Sequence, residues 1–134
     1  IDGKPYLDGG CSCKIPYQWA IDQGFEKIVV IKTRHADYRK NLKKASETSL
    51  AYRIYHTYPE FAHVLEQSDA AYNHQCDELE QLAKEGRIYL VSPSVPMKIS
   101  RLEKDMEKLG HLYARGYKDA KDQMEQLKAY LEMK

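Results

Sequence analysis

Nowhere does this chain hold a run of about 18 consecutive apolar residues, the length a membrane-spanning helix needs. It also lacks charge of one sign: 21 basic residues stand against 20 acidic ones, for a formal net charge of +1. The two signs are interleaved, so no field favours nucleic acid or an anionic membrane. Nucleic acid drops out as a partner. Cysteine is scarce, and its odd count of three makes a poor disulfide framework, so reduced thiols in a cytoplasm fit best. No second Cys or His pair lies near Cys11-Ser12-Cys13 to complete four ligands, and we assign no metal and no cofactor. Internal repeats, low-complexity segments and a visible signal peptide are likewise missing. The first residue is Ile1 rather than methionine, which leaves an upstream leader open.

What is present suffices for one domain, since 134 residues can bury roughly two-thirds of their unfolded surface. Eleven tyrosines at helical spacing suggest rings in the core with hydroxyls at the surface. Tyr6 to Asp8 reads as a short strand. Pro16 opens a helix through Trp19, Ala20 and Ile21 that Gly24 stops. Lys27 to Thr33 contains the unbroken run Ile28-Val29-Val30-Ile31, whose continuous apolarity predicts a central parallel strand buried on both faces. Strand, helix and strand would then make a right-handed crossover.

Lys40 to Ala45 reads as a loop and Ser46 to Tyr55 as a helix. Pro59 starts a long helix carrying Phe61, Val64, Leu65, Tyr72, Cys76, Leu79, Leu82 and Ala83 on one face, and Gly86 ends it. Cys76 is there as a small hydrophobe. Ile88 to Val91 is a third strand, and a Pro93 to Pro96 turn follows. The remainder, about 94–134, is helical, with a break expected near Gly110 or Gly116 because each glycine costs about 1 kcal/mol inside a helix. Three strands are too few for a sheet covered on both faces, so the chain reads as a partial domain whose exposed strand edges could pair with a second copy.

The chemistry centres on Asp8. An acid at the C-terminal end of a strand points into the crevice where open α/β sheets bind ligands. Gly9 and Gly10 after it would let the backbone take conformations closed to other residues, so that a second group approaches the carboxylate closely. The alternative is an Asp-Gly-Gly turn that does no chemistry. Of the other acids near strand ends, Asp22 and Asp37 lack following glycines and read as surface residues. His63 and His74, eleven residues apart, share a helix face yet stand too far apart to bind one metal, and His35 reads as a surface-loop residue. The run from Arg39 to Lys44 reads as a solvated loop.

Taken together, Tyr6-Leu7-Asp8-Gly9-Gly10, Ile15-Pro16, the stretch from Ala20 to Thr33-Arg34, Tyr38-Arg39-Lys40, Arg87 to Ser94 and Ser100 to Asp105 resemble the bacterial patatin-like phospholipases. The resemblance implies a three-layer α/β/α fold with a mainly parallel sheet, of which residues 1–134 are the C-terminal portion. It implies a Ser-Asp dyad hydrolase of lipid acyl esters, with Asp8 as the dyad acid and transient contact with a lipid surface. The partner serine should stand in a Gly-x-Ser-x-Gly elbow. None of the seven glycines here brackets a serine. The nucleophile and the glycine-rich oxyanion loop would therefore belong to the N-terminal remainder of the same domain, and this chain alone would be inactive. Cys11 and Cys13 depart from the family pattern after Asp-Gly-Gly. The competing readings are a non-catalytic α/β interaction module with long partner-binding helices, and a last helix lying on a membrane. The mixed charge of that helix's polar face argues against the latter.

Overall fold

Two glycines decide where this chain leaves a helix to enter a strand. In the computed structural model, which describes residues 1–4, 6–42, 50–96, 99–100 and 102–133, a 3-10 turn at Gly9–Cys11 precedes α1 (Tyr17–Asp22) and β1 (Val29–Ile31). Then come α2 (Leu50–Ile54), α3 (Pro59–Lys84), β2 (Tyr89–Val91), α4 (Met106–Asp122) and α5 (Met124–Glu132). Gly24 after α1 and Gly86 after α3 take left-handed φ values of 79° and 71°. After α1, the Gly24 N–H donates to the Ile21 carbonyl at 2.9 Å and the Phe25 N–H to Ala20 at 3.2 Å. Gly86 to Ala83 and Arg87 to Leu82 repeat the arrangement after α3, at 3.1 and 2.9 Å. Both ends are Schellman motifs, in which a glycine closes the helix by satisfying its last carbonyls.

Space around the Gly86 Cα is open, so a methyl there would clash with nothing and would strain only the backbone. Gly86→Ala should therefore cost about 1–2 kcal/mol, the penalty of a left-handed conformation for an L-residue. Urea denaturation measures it directly.

The architecture is mixed α/β and mostly helical, with a small parallel sheet of two strands, Val29 beside Tyr89, Val30 beside Leu90 and Ile31 beside Val91. Of the three strands expected, those at Lys27 to Thr33 and Ile88 to Val91 form, and their parallel direction follows from the helical connection between them, since parallel strands need a long crossover. One face of the sheet packs on α1 and α3. Tyr17, Ile28, Val30, Leu79 and Ile88 form that core, with Leu79 fully buried. On the long α3 helix Ala62 and Cys76 are also buried, the cysteine filling space as a small apolar group.

Several expectations need correcting. Tyr6 to Asp8 is not a strand: Tyr6 and Leu7 are 65% and 63% exposed, and no strand among the described residues lies beside them to share a ladder. Two apolar residues without a partner bury too little to order an extended segment. The strand–helix–strand crossover at the start of the chain consequently does not form, and β1 reaches its parallel neighbour β2 across α2 and α3 instead. Burial of β1 alternates: Val30 is inside, whereas Val29 and Ile31 are 38% and 74% exposed. The continuous apolar run thus has only one fully covered face. The tyrosines divide: Tyr17 and Tyr130 are buried, Tyr52, Tyr55, Tyr72 and Tyr89 are half-buried, and the other five are exposed.

No break falls at Gly110 or Gly116, both of which lie inside α4. Asp105 caps that helix, accepting from the Glu107 and Lys108 N–H groups at 3.0 and 3.2 Å, and a cap can offset the cost of a glycine. The helix ends at Gln123 instead, where α5 turns so that the buried Tyr130 reaches the sheet. Its hydroxyl accepts from the Ile28 N–H at 3.0 Å and donates to the Arg87 carbonyl at 3.1 Å. Helix in the C-terminal region therefore begins at Met106 rather than near 94. Within Ser46 to Tyr55 the helix covers Leu50–Ile54, while Ser46 to Ser49 lie outside the described residues. None of the helices described is long and apolar enough to cross a membrane.

Candidate functional site

Asp8, Gly9 and Gly10 share a single turn at the surface. Asp8 caps the 3-10 turn: its Oδ1 accepts from the Gly10 N–H at 2.7 Å, and its own carbonyl accepts from the Cys11 N–H at 2.9 Å. The residue is exposed, and among the described residues its second carboxylate oxygen has no partner. One oxygen is held while the other stays open to solvent. Such a carboxylate is oriented, with one oxygen open to an incoming hydrogen-bond donor.

The two glycines do not act as expected. Neither Gly9 nor Gly10 has a positive φ, so their backbone conformation is open to any residue. What Gly10 supplies is room, because a Cβ there would stand 3.1 Å from Asp8 Oδ1. Gly9 has open space around it.

The chain beyond the turn is stapled to α3. Gln75 donates to the Ile15 carbonyl at 3.0 Å, accepts from the Ile15 N–H at 3.3 Å and reaches Cys13 Sγ at 3.5 Å. The Tyr17 hydroxyl bonds Glu78; burial, then that bond, pushes the phenol above its ordinary range. Between the turn and α3 lies a cleft of about 320 Å³ bordered by Cys11, Cys13, His63, Ala71 and His74. The two histidines share a helix face, as their spacing requires, and His74 Nδ1 stands 3.1 Å from Glu78. No group of three or more His, Cys, Asp or Glu that could hold a metal exists among the described residues. All three cysteines are free thiols.

The segment after β1 is not a solvated loop, at least through Lys40. Arg39 reaches Asp77 at 2.6 Å and Glu80 at 2.7 Å on α3, and those carboxylates hold its guanidinium above its ordinary range. Lys40 Nζ pairs with Asp69 at 2.5 Å, and its backbone exchanges hydrogen bonds with the Asn73 amide at 2.8 and 2.9 Å. Tyr38 meets Tyr72 edge to face, and burial, with lesser help from Cys76, pushes the Tyr72 phenol up to about 12. The acids along α3 thus fix the basic residues in place. Lys43 and Lys44 of the same run lie outside the described residues, as does Arg101. His35 and Asp37 lie beside this segment, with the Asp37 N–H donating to His35 Nδ1 at 3.3 Å. Asp22 and Asp37 are exposed, as expected.

On the opposite face of the sheet, Val29, Ile31, Tyr89 and Val91 form one wall of a second cleft, of about 200 Å³. Ala120 and Leu127 stand across it. At its rim Asp119 is 7% exposed and accepts from the Ser94 N–H at 3.0 Å and the Ser94 hydroxyl at 2.7 Å. Those two bonds hold its carboxyl below the ordinary range against the opposing effect of burial.

Residues 58–132 match the domain of unknown function DUF6363, more than half of the chain. The chain belongs to the DUF6363 family. No curated protein and no solved structure matches it. The DUF6363 stretch opens at Tyr58, the residue before α3, and takes in α3, β2, α4 and α5. Asp8 and β1 precede it. The core ignores that boundary: Leu79 and Ile88 of DUF6363 pack on Tyr17, Ile28 and Val30 from outside it, and each segment supplies one strand of the sheet.

Sequence reasoning missed Asp119, since nothing in the spacing from Ser94 marks a carboxylate that ties the turn after β2 to α4. Because its folded pKa is depressed, the unfolded chain binds the proton more readily, and the bond stabilises the DUF6363 fold above about pH 4. That contribution is lost as pH falls below about 4 toward the folded value. Asp119→Asn, which removes the titrating group, should flatten the acid side of a stability-against-pH profile followed by urea denaturation, and an unaltered profile would count against the assignment.

Proposed function

We propose that the chain is the acid-bearing C-terminal part of a patatin-like hydrolase of lipid acyl esters, with Asp8 as the general base of a Ser-Asp dyad. One observation carries this reading beyond the sequence resemblance: the Asp8 carboxylate is fixed through one oxygen by the Gly10 N–H and open through the other. A serine hydroxyl is a weak nucleophile at its free pKa and needs a neighbouring base as it attacks. In the dyad the hydroxyl proton passes to the open oxygen of Asp8 while the serine oxygen bonds the ester carbonyl carbon. The alcohol leaves with the proton Asp8 has taken; water then gives a proton to the freed carboxylate as it attacks the acyl-serine, and that proton returns to the serine oxygen as the fatty acid departs. The serine and the oxyanion donors come from the N-terminal remainder of the domain.

The same reading extends the two-stranded sheet into the larger, mainly parallel sheet of a three-layer α/β/α domain. The exposed face at Val29 and Ile31 supports it, since β-branched residues in a continuous run are suited to a covered strand. A cytoplasmic setting rests on the three free thiols. Substrate contact would bring the enzyme transiently to a lipid surface.

The test uses a chromogenic fatty-acyl ester. The 134-residue chain alone should show no turnover above buffer, and the polypeptide continued upstream of Ile1 should hydrolyse the ester through a serine in a Gly-x-Ser-x-Gly elbow. Turnover by the short chain, or an upstream region without such an elbow, would refute the proposal.

A further inference from the structure

An apolar stripe runs along α4 beside, rather than within, the face that meets the sheet. Met106, Tyr113 and Tyr117 are 77%, 75% and 64% exposed, and the two tyrosine rings stack along the helix at 6.5 Å. Leu109 and Leu112, by contrast, are half-buried on the inward side, where Asp119 is buried. With Gly110, the stripe reads Met106, Gly110, Tyr113, Tyr117, at spacings of four, three and four. That is the alternation of a coiled-coil seam, and Ala120, which also borders the cleft over the sheet, continues it three residues on.

From this geometry we infer that the stripe is the self-association surface of the chain, and that two copies pair their α4 helices antiparallel about a two-fold axis. In the register that sets Tyr113 against the second copy's Tyr117, Gly110 meets Ala120 and Ala114 crosses its own equivalent at the axis. Small residues face small ones and rings face rings. The same register brings Glu107 of each copy beside Lys121 of the other, and the symmetry forms that ion pair twice. These two charges are free to do so. Among the described residues neither the Glu107 carboxylate nor the Lys121 ammonium has a partner within the chain. Their neighbours are already engaged, Lys118 with Asp122 at 2.5 Å and Lys108 within 3.8 Å of Glu103 and Asp105. One helix pair under five turns long falls below the roughly 1,200 Å² that marks weak, reversible interfaces. The dimer is therefore concentration-dependent.

Sedimentation equilibrium of the 134-residue chain across micromolar to millimolar concentrations tests the inference. The wild-type chain should dimerise, and Tyr113→Glu with Tyr117→Glu should leave it monomeric with an unchanged far-UV spectrum. Glu107→Lys or Lys121→Glu alone should weaken the dimer about tenfold, by turning two attractions into repulsions. The double swap should restore the wild-type constant, because it rebuilds both pairs in reverse. A wild-type monomer at every concentration, a dimer indifferent to the tyrosine substitutions, or a double swap that restores nothing would each overturn the inference. So would a monomer that sediments with phosphatidylcholine vesicles through Tyr113 and Tyr117, which would make lipid the occupant.

Discussion

Asp8→Asn in the polypeptide that carries the upstream serine is expected to lower kcat for a fatty-acyl ester by about 10²–10⁴-fold, the range general-base removal produces. KM should hardly change, because the lost interaction is a proton transfer and not a contact with the bound ester. The amide oxygen of Asn can still accept from the Gly10 N–H, as Asp8 Oδ1 does at 2.7 Å, so the turn keeps its shape and the folded stability its value. This separation makes the variant informative. Were Asp8 only a turn-forming residue, Asp8→Asn would be silent in both measurements. Gly10→Ala offers a second approach, for its methyl would press on Asp8 Oδ1 from 3.1 Å and shift the carboxylate by a few tenths of an ångström. Steady-state kinetics with the chromogenic ester, read against urea denaturation of the same variants, decides between the accounts.

Leu79→Ala is expected to destabilise the chain by about 3 kcal/mol, within the range for a fully buried leucine cut to alanine. Leu79 has no exposed surface and sits where α3 meets Tyr17, Ile28, Val30 and Ile88, so its loss leaves a cavity between rigid elements that cannot collapse. Urea denaturation should show a lower midpoint with the slope preserved. The location sharpens the expectation, since three of those four neighbours lie outside the DUF6363 segment. A loss under about 1 kcal/mol would mean that α3 is not docked on the sheet as described.

Helix ends and strand positions are legible in the residues themselves because they depend on local chemistry. Pro59 and Gly86 bracket α3, and Gly24 closes α1, since proline suits a first helical turn and glycine a left-handed exit. The β-branched run at Ile28 to Ile31 contains β1, and Ile88 to Val91 contains β2. Cys76 is buried on the face its spacing assigns.

Legibility fails where a residue's state depends on distant neighbours. Tyr6 and Leu7 have strand chemistry but no adjacent strand among the described residues. Arg39 and Lys40 look like solvated charge until α3 places Asp77, Glu80 and Asp69 beside them. Gly110 and Gly116 weaken a helix by propensity, yet α4 runs through both. Asp119 carries no signal at all.

The residues by themselves settled where α1, α3, β1 and β2 lie and the parallel direction of the two strands, because caps, turns and apolar runs act over a few neighbours. Asp8 is held within its own turn by the Gly10 N–H, whereas which strand faces are covered and which charges are paired were decided by tertiary contacts. Those depend on side chains from segments 30 to 70 residues apart meeting at hydrogen-bond distance, as Gln75 meets Ile15 and Arg39 meets Asp77. Local spacing carries no record of such a meeting.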